Sequence, residues 1–125
     1  MTDKPLILAV DDDGPILVLM RSLLQGCGFE PVVASNGEQA LEQARARTPH
    51  LVLLDKNMPG MSGREVVQAM RADSALRDVP VVMLTGEAMS EDELEGMGAN
   101  GAILKPFDIS ALLATIRSHL GVARL

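Results

Sequence analysis

The chain has very few aromatic residues and only one cysteine. Its 125 residues contain no Trp, no Tyr and only two Phe, so a surface on which bases, flavin rings or sugars could stack has almost nothing to be built from. The single cysteine, Cys27, excludes an internal disulfide framework and a cysteine-based zinc cluster, and it favours a reducing compartment. Basic residues are also scarce: 11 Lys and Arg against 17 Asp and Glu give a net charge of −6, which argues against direct binding to nucleic acid.

Long apolar runs are missing as well. The first run, Leu6–Val10, has five residues and is followed by three acids, which is too short for a membrane span or for the core of a signal peptide. We therefore expect a soluble, cytoplasmic protein without direct membrane contact. The length suits a single domain over residues 1–125, with a core from about residue 5 to residue 120 and a C-terminal tail at 121–125.

Short apolar runs alternate with segments of helical spacing. The runs, each bounded by turn or polar residues, are 6–10, 31–34, 51–54, 79–84 and 101–104, and they predict five strands. Five helices are predicted between and after them, and three of these begin with a capping-box pattern: Ser35-x-x-Glu38, Ser62-x-x-Glu65 and Ser90-x-x-Glu93. Strands that are apolar on both faces and alternate with helices predict an α/β fold, a doubly wound (βα)5 unit with a parallel sheet between two helical layers.

Polar residues follow four of the predicted strands. They are Asp11, Asp12 and Asp13 after the first, Asp55, Lys56 and Asn57 after the third, Thr85, Gly86 and Glu87 after the fourth, and Lys105 and Pro106 after the fifth. In a parallel sheet these carboxyl ends share one edge, which is where chemistry collects in such folds. The sequence therefore predicts a site of acid, hydroxyl and amine groups at that edge.

The carboxylates of this set predict a bound cation. If Asp12 and Asp55 approach closely, their repulsion must be relieved by a divalent ion or a shared proton, and hard oxygen ligands with few protein donors suit Mg²⁺. The alternative for the acidic triplet is that it caps the following helix. Asp55 has no such explanation, because the next helix is predicted to start only near Ser62. Lys105 would reach the same cleft and could pair with Asp55.

Together these residues resemble the receiver domain of bacterial two-component response regulators. The resemblance rests on Val10-Asp11-Asp12-Asp13, Leu53-Leu54-Asp55-Lys56-Asn57-Met58-Pro59-Gly60-Met61-Ser62-Gly63, Met83-Leu84-Thr85-Gly86 and Leu104-Lys105-Pro106-Phe107. It covers essentially the whole chain, and the acid pair, the stretch around Pro59 and the lysine-proline pair fall in the family's order and approximate spacing. The resemblance implies a flavodoxin-like sheet with strand order 2-1-3-4-5.

The resemblance also implies roles for individual residues. Asp55 would be the phosphoacceptor, Thr85 and Lys105 would contact the phosphoryl group, and Mg²⁺ would be bound by Asp11, Asp12, Asp55 and the backbone carbonyl of Asn57. Pro106 would follow a cis peptide bond and Pro59 would shape the loop after Asp55, while Asn57 and Glu87 would tune hydrolysis of the phosphoryl group. The phosphoryl donor would be a histidine kinase or a histidine phosphotransfer protein.

Further implications concern output. The chain would not turn over a separate substrate, but would catalyse its own phosphorylation and dephosphorylation. It would switch contacts with a downstream protein, or with a second copy of itself, through the face formed by the fourth helix, fifth strand and fifth helix.

Two features depart from the family pattern. The aromatic residue that receivers usually carry three positions before the lysine is replaced by Ala102, so no ring can change its position there. The segment between Thr85 and Lys105 is also shorter than usual and carries Gly96 and Gly98 where a helix would continue, which predicts a short fourth helix. We therefore expect phosphorylation to act by ordering this helix.

Three other classes of protein would require different residues at these positions or would lack some of them. A phosphatase of the haloacid dehalogenase class would need a second acid two residues after the nucleophile, where Asn57 stands. A small flavin protein would need a phosphate-binding loop after the first strand, where the acidic triplet would repel phosphate. A receiver-like scaffold that is never phosphorylated is the remaining alternative, although it would be expected to lose one of Asp55, Asp12, Thr85 or Lys105.

Overall fold

A computed structural model describes residues 4–120, and the predicted tail at 121–125 lies outside them. The five strands are β1 (Leu6–Val10), β2 (Glu30–Ala34), β3 (Leu51–Asp55), β4 (Val81–Thr85) and β5 (Gly101–Leu104). The five helices are α1 (Gly14–Gly26), α2 (Gly37–Ala46), α3 (Gly63–Ala72), α4 (Glu91–Met97) and α5 (Ile109–Leu120). All strand pairs are parallel and the order is β2-β1-β3-β4-β5, so the predicted fold class and strand order are confirmed.

The sheet is buried on both faces, which explains why its strands are almost continuously apolar. Alternate residues of each strand point to opposite faces, and they divide the core into two clusters. One cluster joins the sheet to α2, α3 and α4, with Val67 and Met97 among its members. The other joins it to α1 and α5 through residues such as Met20 and Ile116. Every residue of the three central strands β1, β3 and β4 is buried.

Two strand boundaries differ from the prediction in ways that matter for the site. Strand β3 includes Asp55, which is in register with Leu84 of β4. Strand β4 begins at Val81 rather than Val79 and ends at Thr85. The apolar pair Val79–Pro80 imitates a strand, but Val79 donates its amide to the Leu76 carbonyl in a turn and proline has no amide to donate to a ladder. Asp55 and Thr85 are therefore held by the sheet itself.

Helix starts follow the predicted capping boxes at two of three positions. Ser62 with Glu65 and Ser90 with Glu93 each form the reciprocal pair of hydrogen bonds. At the second helix the prediction was wrong: Asn36, not Ser35, is the N-cap and accepts from the Gln39 amide at 2.8 Å. Asparagine is as good an N-cap as serine, so the helix begins one residue later. Within residues 4–120 no helix is both long and apolar enough to cross a membrane.

Candidate functional site

Three aspartates and one lysine meet at the carboxyl edge of the sheet. Asp11 follows β1, Asp55 ends β3, and Lys105 follows β5. One carboxylate oxygen from each of Asp11, Asp12 and Asp55 lies within 4.8 Å of the others. The Lys105 Nζ lies 3.0 Å from Asp11 Oδ2 and 3.4 Å from Asp55 Oδ1. The topology thus brings together four of the residues that the sequence singled out.

Of the three consecutive acids, one caps the following helix and two belong to the carboxylate cluster. Asp13 caps α1 by accepting the Ile16 amide at 3.2 Å. Asp11 is only 1% exposed and accepts the Asp13 amide at 3.0 Å, while Asp12 is exposed at the mouth of the cluster. Capping therefore accounts for the third acid alone, and the first two belong to the cluster.

Burial and like charge make Asp55 an unusual carboxyl group. It is 6% exposed, and its pKa is raised to about 6, chiefly by burial and then by the negative charge of Asp11. The positive charge of Lys105 and the hydrogen bond from the Asn57 amide, 3.3 Å from Asp55 Oδ1, act in the opposite direction. A perturbed acid beside charged partners is typical of functional sites.

Lys105 is held against this cluster in its charged form. Burial acts to lower its pKa, but the hydrogen bond and charge of Asp11, followed by the charge of Asp55, raise the pKa above its usual value. The ammonium group is thus protonated at neutral pH and lies between two carboxylates. The sequence suggested a pair with Asp55 and did not foresee the shorter contact with Asp11. The peptide bond between Lys105 and Pro106 is cis.

The loop after Asp55 packs closely on the site because of one glycine. The Gly63 amide donates to the Lys56 carbonyl at 3.1 Å, and a Cβ atom at this position would lie 2.7 Å from the Asp55 carbonyl oxygen. A larger residue would therefore push the start of α3 away from β3. Pro59 and Asn57 are exposed on the same loop.

The Thr85 hydroxyl is engaged in its own loop. It donates to the Glu87 carbonyl at 2.9 Å and accepts the Glu87 amide at 3.1 Å. Thr85 itself is 3% exposed, whereas Gly86, Glu87 and Ala88 are exposed. Thr85 thus ends β4 at the site edge, and its hydroxyl must leave Glu87 before it can donate to anything bound at Asp55.

The three carboxylates fit a divalent cation. Their oxygens converge within 4.8 Å, and carboxylates are the hard oxygen ligands that Mg²⁺ prefers. The pKa of Asp55 is raised mainly by burial and then by the charge of Asp11, and a bound cation would offset both effects. Asp11, Asp12 and Asp55 would hold the ion. Asn57, whose carbonyl is the other expected ligand, lies two residues beyond Asp55 in the same loop.

Comparisons with known proteins agree on one family. A family model described as the response regulator receiver domain matches residues 7–117. The chain is 41% identical to the DNA-binding response regulator MtrA of Mycobacterium tuberculosis over 121 residues, covering 95% of this chain and 52% of that protein. It is 39% identical to the phosphate regulon transcriptional regulatory protein PhoB of Escherichia coli over 114 residues, covering 90% of this chain and 50% of PhoB.

Solved structures give the same result for the fold. The chemotaxis protein CheY4 of Vibrio cholerae is 36% identical and superposes with a TM-score of 0.87 over 92% of this chain and 98% of that one. A CheY-like receiver domain protein from Methanospirillum hungatei is 30% identical, with a TM-score of 0.86 over 95% of both chains. The chain therefore matches these receivers over almost their full length, whereas it spans about half the length of the curated relatives MtrA and PhoB.

Proposed function

The chain belongs to the response regulator receiver family of two-component systems, and on that premise we propose that it accepts a phosphoryl group on Asp55. The observation that carries the proposal is the position of this carboxylate, nearly buried beside Asp11 and 3.4 Å from the Lys105 Nζ. The donor is a histidine kinase or a histidine phosphotransfer protein, as expected for the family. The Asp55 oxygen attacks phosphorus, and the bond from phosphorus to the donor nitrogen breaks.

Residues around Asp55 supply what phosphoryl transfer requires, which is mainly positioning and charge stabilisation. Lys105 is fixed by Asp11 with its ammonium beside the attacking oxygen, so it can neutralise charge on the phosphoryl oxygens. Thr85 exchanges the Glu87 carbonyl for a phosphoryl oxygen as hydrogen-bond acceptor. Bound Mg²⁺ would neutralise further negative charge and orient the transferred group. Asn57 and Glu87, both exposed beside the site, can orient the water that later hydrolyses the acyl phosphate.

Phosphorylation then changes the contacts that the chain makes with other proteins, and the chain does not turn over a separate substrate. We place the output at the surface of α4, β5 and α5, where the target is a downstream protein or a second copy of the chain. MtrA is described as DNA-binding, but this chain matches only 52% of its length. We therefore propose no direct contact between the described residues and nucleic acid. The alternative function is a receiver-like scaffold that is never phosphorylated.

Incubation with Mg²⁺ and acetyl phosphate, followed by intact mass measurement, separates these two functions. We expect the mass to rise by about 80 Da, one phosphoryl group, and to do so neither in Asp55→Ala nor when Mg²⁺ is replaced by a chelator. A wild-type protein that gains no mass and also fails to bind beryllofluoride, a stable phosphoryl analogue, would support the scaffold and contradict the proposal.

A further inference from the structure

The outer surface of α1 carries apolar side chains where a surface helix ordinarily carries polar ones. Val18 and Leu19 are 70% and 52% exposed, and Ile109 at the start of α5 is 49% exposed. They are three of the four large apolar side chains that are exposed in residues 4–120. Arg21 is the one charged residue of α1. Exposed apolar surface that is concentrated in this way is typical of binding sites.

A groove runs between α1 and the connection from β5 to α5. It consists of two adjoining cavities of about 400 and about 100 Å³, and Leu19 and Phe107 line both. The larger cavity reaches Lys105, and the smaller one reaches Asp108 and Ile109. A concave groove of this size, lined mostly by apolar side chains with a few polar groups, is typical of sites that bind small molecules.

The two ends of this groove differ in charge. Lys105 places an ammonium group at the larger cavity. Asp108 lines the smaller cavity, and its Oδ1 accepts the Ala111 amide at 2.7 Å at the start of α5. A negative charge on a ligand is therefore favoured at the Lys105 end and disfavoured at the Asp108 end. A ligand that is complementary to both ends has one anionic head group and an uncharged tail.

Lys105 has a donor hydrogen left for such a head group. An ammonium group has three hydrogens to donate. Within residues 4–120 it pairs with two carboxylates, Asp11 at 3.0 Å and Asp55 at 3.4 Å. The Lys105 side chain is 31% exposed, so a ligand carboxylate can approach it from the groove. Hydrogen bonds between charged groups are stronger than neutral ones, which makes Lys105 the polar anchor of the groove.

Other classes of ligand are less complementary to the lining. Among residues 4–120, Phe107 is the one aromatic side chain that lines the groove, so a nucleobase or a flavin ring would find no second ring to stack against. A polyanion would need several basic groups, and Lys105 is the one basic residue that the same range contributes to the lining. The groove therefore favours a small molecule with a single negative charge and a flexible apolar chain.

We propose that this groove binds a free single-chain amphiphilic carboxylate, a fatty acid of medium length, with its head group on Lys105 and its chain along Leu19 and Phe107. The bound carboxylate accepts the hydrogen of Lys105 that a phosphoryl oxygen would otherwise accept, so binding slows the labelling of Asp55. The effect on labelling rests on the proposed function, whereas binding is a property of the unmodified protein.

Calorimetry with octanoate, below the concentration at which it forms micelles, tests the site. Octanoate should bind the wild type about tenfold more tightly than octanol, which has the same chain without the charge. Each methylene removed from the chain should weaken binding about fourfold. In Lys105→Met, octanoate should lose its advantage over octanol, and octanol binding should not be weakened. Octanol that binds the wild type as tightly as octanoate overturns the role of Lys105.

Leu19→Gln and Val18→Gln form a matched pair of variants. Both replace an exposed apolar side chain of α1, but Leu19 lines both cavities and Val18 lines neither. Leu19→Gln should weaken octanoate binding about tenfold, and Val18→Gln should leave it within about twofold of the wild type. Far-UV circular dichroism reports whether each variant is folded. Equal octanoate binding by the two folded variants, or no binding by the wild type, overturns the groove as the site.

Labelling by acetyl phosphate separates this proposal from the proposed function. Saturating octanoate should slow the mass gain of the wild type and of Val18→Gln, and undiminished labelling overturns the competition at Lys105. A wild type that binds octanoate but gains no mass in its absence contradicts the proposed function and supports the binding site. A wild type that gains mass but binds no octanoate overturns the groove proposal alone. A dimer that light scattering detects and that Leu19→Gln dissociates would assign the groove to a second copy of the chain, which also overturns the proposal.

Discussion

Replacing Lys105 with Met should slow labelling of Asp55 by acetyl phosphate by about 10²–10³-fold at pH 7. The substitution removes the ammonium that lies 3.0 Å from Asp11 and 3.4 Å from Asp55, while it keeps an apolar stem of similar length. Charge that develops on the phosphoryl oxygens then lacks its nearest protein cation. The measurement is the rate of mass gain at fixed Mg²⁺ and acetyl phosphate.

The pH dependence of labelling should change with this substitution. In the metal-free protein the pKa of Asp55 is about 6, and bound Mg²⁺ would lower it. In the wild type the labelling rate should therefore fall only as the pH drops below 6 and the carboxylate becomes protonated. Lys105 lowers this pKa. Its removal should therefore move the decline in rate to higher pH, and the loss of rate should be larger at pH 6 than at pH 8.

Lys56→Met is the matched control for Lys105→Met. It also removes one positive charge next to Asp55, but Lys56 forms no ion pair within the described part of the chain and is not a cause of the Asp55 pKa shift. Its labelling rate should stay within about threefold of the wild type, because a partly exposed charge is screened by water and salt. Equal losses in the two variants would mean that net charge, and not the position of Lys105, sets the rate.

Replacing Asp55 with Asn should stabilise the metal-free protein by about 2–3 kcal/mol at pH 8. Burial and the charge of Asp11 raise the pKa of Asp55 from 3.8 to about 6, so the folded state holds its proton more tightly than the unfolded state. The free energy of unfolding must then decrease as the pH rises from about 4 through 6, and this loss of stability persists at higher pH. Asparagine has a similar shape and carries no charge.

Urea unfolding in the presence of a chelator, at pH 5 and pH 8, provides the measurement. The difference in the free energy of unfolding between Asp55→Asn and the wild type should be larger at pH 8 than at pH 5. Glu42→Gln removes an exposed acid of α2, and its free energy of unfolding should match that of the wild type at both pH values. Millimolar Mg²⁺ should raise the wild-type stability and narrow the gap, because the ion binds the folded state. An Asn variant that is less stable than wild type at pH 8 would show that burial and the charge of Asp11 do not destabilise the ionised Asp55.

The sequence was sufficient to predict the sheet and the residues at its carboxyl edge. Alternation of apolar runs with helical spacing determines a doubly wound fold, and such a fold places Asp11, Asp55, Thr85 and Lys105 on one edge. The order of the strands came from the family resemblance, since local patterns do not reveal which strands are neighbours.

Details that depend on tertiary contacts could not be read from the sequence. The closer partner of Lys105 is Asp11, 94 positions away, and pattern alone cannot rank it against Asp55. Arg71 of α3 donates hydrogen bonds to the backbone carbonyls of Gly98, Arg77 and Val79. Every residue carries such a carbonyl, so no sequence motif marks these contacts. Val79 looks like strand sequence, but its amide bonds with Leu76 in a turn.

The most direct test of the account is the chemical location of the phosphoryl group. Protein labelled with acetyl phosphate is treated with borohydride, which reduces an aspartyl phosphate to homoserine, and the position of homoserine is then read from peptide fragments. The account predicts homoserine at position 55 and unchanged aspartate at positions 11, 12 and 13. Homoserine at any of those three positions, with Asp55 intact, would contradict the assignment of Asp55 as the phosphoacceptor.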